Sequence, residues 1–250
     1  MKRFLAGFSL VLLLNALFAL TTARAEEITV SAAASLTNAF TELKTIFEKK
    51  HPGLTVFVNF AASNPLLKQI QEGAPVDVFA SADQETMDKA EASKVIVPGT
   101  RKDFVRNTLV LIVPKNQKKP QKLEDLKGMK RIAVGNPESV PAGRYARQAL
   151  GKAGLWDTLT PNFVFGTNVR QVLDYVARGE VDCGIVYGTD AKKQENKVDI
   201  AMVLEGHNPV LYPIAVTSTG KNNKTGQAFV DFVLSEEGMS VLKKYGFTQP

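Results

Sequence analysis

Cysteine and histidine are scarce in this sequence, and their scarcity excludes several kinds of site. The 250 residues include one cysteine, Cys183, and two histidines, His51 and His207. A single thiol cannot form an internal disulfide, so the fold must be held together by its hydrophobic core. His51 lies in a His-Pro-Gly turn and His207 in a Gly-His-Asn-Pro loop, without the spaced cysteines or carboxylates of a metal site. We therefore expect no metal-cation site and no histidine catalysis.

Motifs of nucleotide-binding and hydrolytic proteins are also missing. The sequence contains no Gly-x-Gly-x-x-Gly segment, no Walker loop and no Gly-x-Ser-x-Gly elbow. Four aspartates fall near predicted strand ends, where turn and helix-capping roles are common: Asp77, Asp83, Asp182 and Asp190. Nothing near them in the sequence supplies a partner for acid–base catalysis. These absences favour a binding protein without a cofactor over an enzyme.

Acidic residues are absent from the first 25 residues, which instead contain Lys2, Arg3 and Arg24. An almost continuously apolar run over residues 4–20 follows the first two bases, and Ala-Arg-Ala at residues 23–25 has the pattern of a signal-peptidase site. We predict a secretory signal peptide over residues 1–25, cut after Ala25. The alternative is a retained membrane anchor, but the run is barely long enough to span a bilayer and Asn15 interrupts it.

Removal of this segment changes what the charge implies. The full chain has a formal net charge of +6, whereas residues 26–250 contain 28 bases and 25 acids. That excess is too small to indicate nucleic-acid binding. Cys183 lies far from the cleavage site, so the new N-terminus offers no cysteine for a lipid anchor. Without a lipid anchor, an exported protein stays near its membrane only where an outer barrier confines it. We therefore predict that the protein is exported to the periplasm.

Short β-branched runs alternate with segments of helical spacing along most of the remaining chain. The strand predicted at residues 28–30 is followed by six apolar residues that share one helix face: Leu36, Ala39, Phe40, Leu43, Ile46 and Phe47. Another strand, predicted at residues 76–79, is followed by a helix over residues 84–92. Repeated units of this kind predict an α/β fold with mostly parallel sheets flanked by helices.

Two features divide the pattern into two lobes. A polar, lysine-rich loop at residues 115–122 follows the strand that begins at Leu109, and a late strand at residues 211–216 follows an irregular segment. Strands in these places can carry the chain from one lobe to the other and back. We predict a first lobe made of residues 26–107 and 213–250, a second lobe of residues 108–212, and a ligand cleft between them. The alternative is a single doubly wound sheet of about nine strands.

Four predicted strand-to-helix junctions are rich in small or hydroxyl residues: residues 31–35 and 61–65 in the first lobe, and 140–143 and 166–169 in the second. Each junction alone is explained by helix capping or by a proline at a helix start. Facing one another across a cleft, they offer unpaired backbone N–H groups and hydroxyls at the positive ends of helices. A small, uncharged site of this kind suits a tetrahedral oxyanion, and the pattern leaves the identity of that anion open.

The motifs at these junctions resemble those of the molybdate-binding periplasmic proteins of ABC transporters. The resemblance covers nearly all of residues 26–250. Its most specific parts are Val-Pro-Ala-Gly at residues 140–143 and Gly-Ile-Val-Tyr-Gly-Thr-Asp-Ala at residues 184–191, with Val169 eighteen residues before Tyr187. It implies a two-lobed, type II periplasmic binding-protein fold, molybdate or tungstate as the ligand, and a membrane permease as the partner. We expect the protein to be a monomer.

The resemblance also implies five ligand-binding residues, which donate hydrogen bonds from hydroxyls or backbone N–H groups: Ser35 and Ser63 from the first lobe, and Ala142, Val169 and Tyr187 from the second. The sequence departs from the family pattern at Asn64 and Pro65, because a proline has no N–H to donate. Two arginines beside the proposed site, Arg144 and Arg170, are expected to be solvated.

Two other functions stay open at this stage. A carrier of sulfate or phosphate would have the same fold and a similar donor set. An exported enzyme acting on an anionic substrate could be built on the same two lobes. The missing base, nucleophile and metal ligands make the enzyme the weaker alternative.

Overall fold

The computed structural model describes residues 26–250 as two five-stranded sheets, and the predicted signal peptide lies outside the described residues. The strands are β1 (Glu26–Ala33), β2 (Leu54–Ala61), β3 (Val78–Ala80), β4 (Lys102–Asn107), β5 (Leu109–Pro114), β6 (Ile132–Gly135), β7 (Phe163–Gly166), β8 (Cys183–Tyr187), β9 (Val198–Val203) and β10 (Val210–Val216). The first sheet has the order β2-β1-β3-β10-β4 and the second β7-β6-β8-β5-β9. The two-lobed α/β fold is confirmed, and the single-sheet alternative is wrong.

Helices connect and flank these strands. They are α1 (Thr37–Lys50), α2 (Ser63–Gln71), α3 (Gln84–Ala92), α4 (Pro141–Lys152), α5 (Trp156–Leu159), α6 (Val169–Ala177), α7 (Gly188–Lys193), α8 (Asn223–Leu234) and α9 (Glu236–Lys244). Short 3-10 turns occupy Ala34–Leu36, Leu123–Gly128 and Thr160–Asn162. Within residues 26–250, none of the helices is long and apolar enough to cross a membrane.

The sheets are mixed rather than mostly parallel, which corrects the expectation from the sequence. In the first sheet β1 pairs in parallel with β2 and β3, whereas β10 pairs antiparallel with β3 and β4. The second sheet repeats this plan, since β6 is parallel to β7 and β8 while β5 is antiparallel to β8 and β9. The antiparallel pairs all involve strands that begin or end where the chain changes lobe, so no crossover helix sets their direction.

The chain changes lobe twice. It leaves the first sheet after Asn107 and enters the second at Leu109. It returns at Val210, which pairs with Asn107 at the start of β10. The predicted boundary between residues 212 and 213 therefore falls inside β10, which belongs to the first sheet over its whole length. The irregular segment before β10 is the return crossing.

The apolar face predicted for α1 packs into the core of the first lobe. Phe40, Leu43 and Phe47 are all buried. The ring of Phe47 makes an edge contact with that of Phe229 on α8 at a centroid distance of 5.2 Å. Burial of such side chains stabilises the fold by about 1.5–3 kcal/mol each. This packing fixes the position of α1, and with it the turn at Ala34–Leu36 between β1 and α1.

Candidate functional site

A small cavity of about 10 Å³ lies between the lobes, at the junctions that the sequence singles out. All five predicted ligand-binding residues line it. The full lining comprises Ala33, Ala34, Ser35, Ala62, Ser63, Ala82, Val140, Pro141, Ala142, Val169 and Tyr187. None of these side chains carries a charge. The structure thus brings the five residues together, and their role as ligands stays a prediction.

Ser63 is the first residue of α2 and is fully buried. Its Oγ accepts a hydrogen bond from the backbone N–H of Ala82 at 3.0 Å. Because that bond uses a lone pair, the hydroxyl proton of Ser63 is free to be donated into the cavity. The serine is therefore held in place by one lobe while it keeps a donor for a ligand.

Asn64 and Pro65, where the sequence departs from the family pattern, lie at the start of α2. Asn64 donates from Nδ2 to the backbone carbonyl of Glu138 in the second lobe at 2.9 Å. Its Oδ1 accepts from Thr86 at 2.7 Å and from Arg144 at 3.3 Å. Pro65 brings no N–H to this helix start, but the residue before it forms polar contacts across the cleft.

The second lobe presents two helix starts to the cavity. In α4, the N–H groups of Gly143 and Arg144 both donate to the carbonyl of Val140, and Pro141 has no N–H. The N–H of Ala142 therefore has no acceptor within its helix, as is usual in a first turn. In α6 the side chain of Asn168 caps the N–H of Gln171 at 3.0 Å. Val169 precedes Gln171 in that first turn, so its N–H also has no acceptor within its helix.

A close backbone approach holds α4 against the end of β6. A Cβ added to Gly143 would lie 2.0 Å from the carbonyl oxygen of Gly135. Only glycine fits at this position without moving the helix start. Gly143 therefore allows the N–H of Ala142 to sit where β6 ends.

Tyr187 ends β8 and is only 1% exposed, yet its hydroxyl has no hydrogen-bond partner among the described residues. Burial raises the pKa of this phenol well above that of a free tyrosine, with smaller contributions from Tyr212, Tyr145, Asp83 and Asp190. The group therefore keeps its proton. An unpartnered buried hydroxyl costs free energy unless a ligand accepts from it.

Arg144 and Arg170 are not the solvated residues that the sequence predicts. Arg144 is buried and pairs across the cleft with Asp83, while also donating to Thr86 Oγ1 at 2.7 Å. Arg170 lies 2.5 Å from the carboxylate of Asp190, which is fully buried. Both arginines are neutralised by carboxylates. The cavity beside them therefore offers a ligand dipolar donors rather than free charge.

Arg170 also joins the two lobes. It donates to Asn38 Oδ1 at 2.8 Å and to the carbonyl oxygen of Ser35 at 3.3 Å. Burial, the largest effect, raises the pKa of Asp190, and the Arg170 guanidinium opposes this shift. These contacts place the start of α6 against the turn that holds Ser35.

A wider pocket of about 240 Å³ opens beside the cavity and shares Ser35 with it. Its lining includes four basic residues, of which Arg170 is paired with Asp190 and Lys244 with Glu42, so that, among the described residues, Lys192 and Lys193 carry the unneutralised charge. Basic groups around such an opening raise the local concentration of anions. Lys192 and Lys193 are neighbours on α7, whereas Lys244 lies on α9, so the sequence does not show that the three lysines line one pocket.

The other aspartates and both histidines have structural partners. Asp77 accepts from the N–H of Thr29 at 2.7 Å and of Asn222 at 2.8 Å. Asp83 caps α3 through Thr86 N–H. Asp182 accepts from two backbone N–H groups, and each histidine ring bonds to a backbone carbonyl. Within residues 26–250, no group of three or more potential ligands is arranged to bind a metal ion.

Fold and site together define a two-lobed solute-binding protein. Residues 28–248 match the family of bacterial extracellular solute-binding proteins, and the chain belongs to that family. It is 44% identical over 230 residues to the molybdate-binding protein ModA of Escherichia coli (strain K12), a match that covers 89% of this chain and 89% of that relative.

Solved structures show the same fold in proteins for different anions. The periplasmic molybdate-binding protein of Azotobacter vinelandii superposes with a TM-score of 0.78 at 24% identity, covering 89% of this chain and 99% of that chain. The sulfate-binding protein SubI of Mycobacterium tuberculosis gives a TM-score of 0.80 at 16% identity, covering 90% and 87%. At these identities the likeness is one of fold, so the fold does not identify the anion.

Proposed function

We propose that this protein captures molybdate, and tungstate as a close analogue, and delivers it to the membrane permease of an ABC transporter. The 44% identity to the molybdate-binding protein of Escherichia coli, over 89% of both chains, supports this ligand. The proposed ligand-binding residues are Ser35, Ser63, Ala142, Val169 and Tyr187.

The observation that carries the proposal is the buried, unpartnered hydroxyl of Tyr187 in a cavity lined by uncharged donors. A doubly charged oxyanion accepts hydrogen bonds at every oxygen, and bonds to an ionised acceptor are stronger than neutral ones. Donors fixed by the fold need no reorganisation when the anion arrives. The helix starts at Ala142 and Val169 add the positive ends of two dipoles.

Size is the proposed basis of selectivity. Donors from both lobes are held at set distances, so a smaller tetrahedral anion such as sulfate cannot reach all of them at once. Molybdate and tungstate are alike in size, so this argument gives no preference between them.

Closure of the lobes is the proposed signal for transport. Arg144 and Asn64 bridge the lobes beside the cavity, and Arg170 does so next to Ser35. A ligand that contacts both lobes stabilises the closed arrangement, which the permease would then recognise. In this proposal the protein is a monomer in the periplasm, exported by the predicted signal peptide, and binds no nucleic acid.

Thermal unfolding of residues 26–250 with a panel of oxyanions tests the function. At 100 times its dissociation constant, a ligand stabilises the folded state by about 2.7 kcal/mol. We expect molybdate and tungstate to raise the melting temperature, and sulfate, phosphate and nitrate at the same concentration to leave it unchanged. A rise with sulfate or phosphate alone would instead identify a carrier of that anion. If none of these anions raises the melting temperature, both carrier functions are contradicted and the enzyme alternative remains.

A further inference from the structure

Ser35 has a buried partner outside the cavity. Its Oγ lies 2.8 Å from the hydroxyl oxygen of Tyr212, which is on β10 and fully buried. Either oxygen could donate in that pair. The direction of the bond decides whether the Ser35 proton is available to a ligand.

The hydrogen bonds of Asn107 determine the direction of the bond between Ser35 and Tyr212. Its Oδ1 accepts the N–H of Thr108 at 3.0 Å, so its Nδ2 must be the atom that faces the remaining partners. Nδ2 has two protons, and it lies 2.9 Å from Thr189 Oγ1 and 3.3 Å from Tyr212 Oη. Tyr212 therefore accepts from Asn107, and its own proton points to Ser35.

A bond in this direction leaves the Ser35 proton free. We propose that Tyr212 is a positioning residue that donates to Ser35 Oγ, under the control of Asn107, and so makes the Ser35 hydroxyl a donor to the bound oxyanion. The proposal rests on the proposed function, because it assigns a role to Tyr212 in that same site. Ser63 has a similar arrangement, since Ala82 N–H donates to its Oγ.

Two features suit Tyr212 to this role. Burial raises its pKa well above that of a free tyrosine, and the charge of Asp190 adds to the shift, so the proton that it donates is retained. The Asn107 amide that orients it bonds Thr189 of the second lobe and Tyr212 of the first. The hydrogen-bond chain is thus anchored in both lobes.

A double-mutant cycle with Tyr212→Phe and Ser35→Ala tests the proposal. The dissociation constant for molybdate is measured by calorimetry for wild type, both single variants and the double variant. Loss of one buried hydrogen-bond partner weakens binding by about tenfold. If Tyr212 acts through Ser35, Tyr212→Phe has this effect in the wild type and little effect in the Ser35→Ala background. Equal losses in both backgrounds would overturn the proposal.

Tyr175→Phe on α6 is the matched control, since its hydroxyl forms no hydrogen bond among the described residues and does not line the cavity. It should leave the dissociation constant unchanged, and a tenfold loss here would overturn the proposal, because loss of any tyrosine hydroxyl would then have the same effect. The ligand-free melting temperature of each variant shows that it is folded.

Asn107→Ala gives a second cycle if Tyr212→Phe folds poorly. Without the amide, Tyr212 can accept from Ser35, so molybdate affinity should fall in the wild type and fall clearly less in the Ser35→Ala background. Equal losses overturn the proposal. If the wild type binds molybdate but the losses are additive in both cycles, the proposed function stands and the proposed role of Tyr212 is wrong. If the wild type does not bind molybdate, both the proposed function and the proposed role of Tyr212 are wrong.

Discussion

Arg144 at the start of α4 and Asp83 at the start of α3 form a buried ion pair that joins the two lobes. Arg144 Nε donates to Asp83 Oδ2 at 2.8 Å, and the two side chains are only 6% and 4% exposed. Asp83 also caps α3, so one carboxylate holds both a helix end and the opposite lobe. The pair lies beside the cavity, and because its two partners belong to different lobes, the proposed opening of the lobes would separate them.

Arg144→Met is therefore expected to weaken ligand binding more than folding. It leaves the Asp83 carboxylate buried and unpaired in the closed form, a loss of about 2 kcal/mol or more, or roughly thirtyfold in dissociation constant. Titration calorimetry with molybdate measures this. Arg147→Met is the matched control, because its partner Glu138 is 77% exposed and surface pairs contribute about 0–1 kcal/mol. Equal losses from the two variants would contradict a role of Arg144 in closure.

Two glycines of α4 should respond oppositely to alanine. At Gly143 the new Cβ would meet the carbonyl of Gly135, so Gly143→Ala should lower the free energy of unfolding by about 1–3 kcal/mol. At Gly151 a Cβ would meet no atom within 4 Å beyond the adjoining backbone of its own helix, so Gly151→Ala should raise the free energy of unfolding by about 0.5–1 kcal/mol. Urea denaturation without ligand measures both. A neutral Gly143→Ala would show that α4 can shift away from β6.

Ser35→Ala should remove most of the rise in melting temperature that molybdate causes, because it deletes a donor in the cavity. Ser31→Ala is the comparison on β1. Ser31 is also fully buried, but its hydroxyl has no partner among the described residues and does not line the cavity. The Ser31 variant should keep the full ligand response. If Ser35→Ala responds like wild type, Ser35 is not a ligand.

Binding should be insensitive to pH near neutrality. Burial raises the pKa of Tyr187, so the folded state favours the neutral phenol. A group whose pKa is raised in the folded state makes its full contribution to stability below its unfolded-state pKa. It loses that contribution as the pH rises through its folded-state pKa. Because the ligand binds the folded state, in which the pKa of Tyr187 lies well above its ordinary value of about 10, molybdate affinity should stay level from about pH 7 to about pH 9. A marked fall between pH 7 and pH 9, measured by calorimetry, would mean that another group titrates in the site.

Local pattern predicts much of this fold. The helix over residues 84–92 has the bounds of α3, and the strand that begins at Leu109 is β5. Both show clear periodicity or a continuous apolar run. The pattern does not reveal β4 and β9, which lie at the edges of their sheets. Three of the six residues of β4 are charged and only Val198 of β9 is buried, so neither sequence has a strong apolar pattern.

The candidate site is predictable where donors come from helix starts. Those residues follow strand ends, and strand ends are visible in the sequence. The side chains that connect the lobes are not predictable, because Arg144 and Asp83 are 61 residues apart and Tyr212 and Ser35 are 177 apart. Asp83 has an evident local role as a helix cap, which conceals its second partner. Only the folded chain shows these pairs.

A crystal structure of residues 26–250 grown with tungstate is the most direct test of the central claim. Tungsten scatters X-rays anomalously, so its position can be located independently of the protein. We predict one tungstate per chain in the cavity between the lobes, within hydrogen-bonding distance of the Tyr187 hydroxyl, the Ser35 and Ser63 hydroxyls and the N–H groups of Ala142 and Val169. Tungstate bound elsewhere while this cavity stays empty would contradict the account.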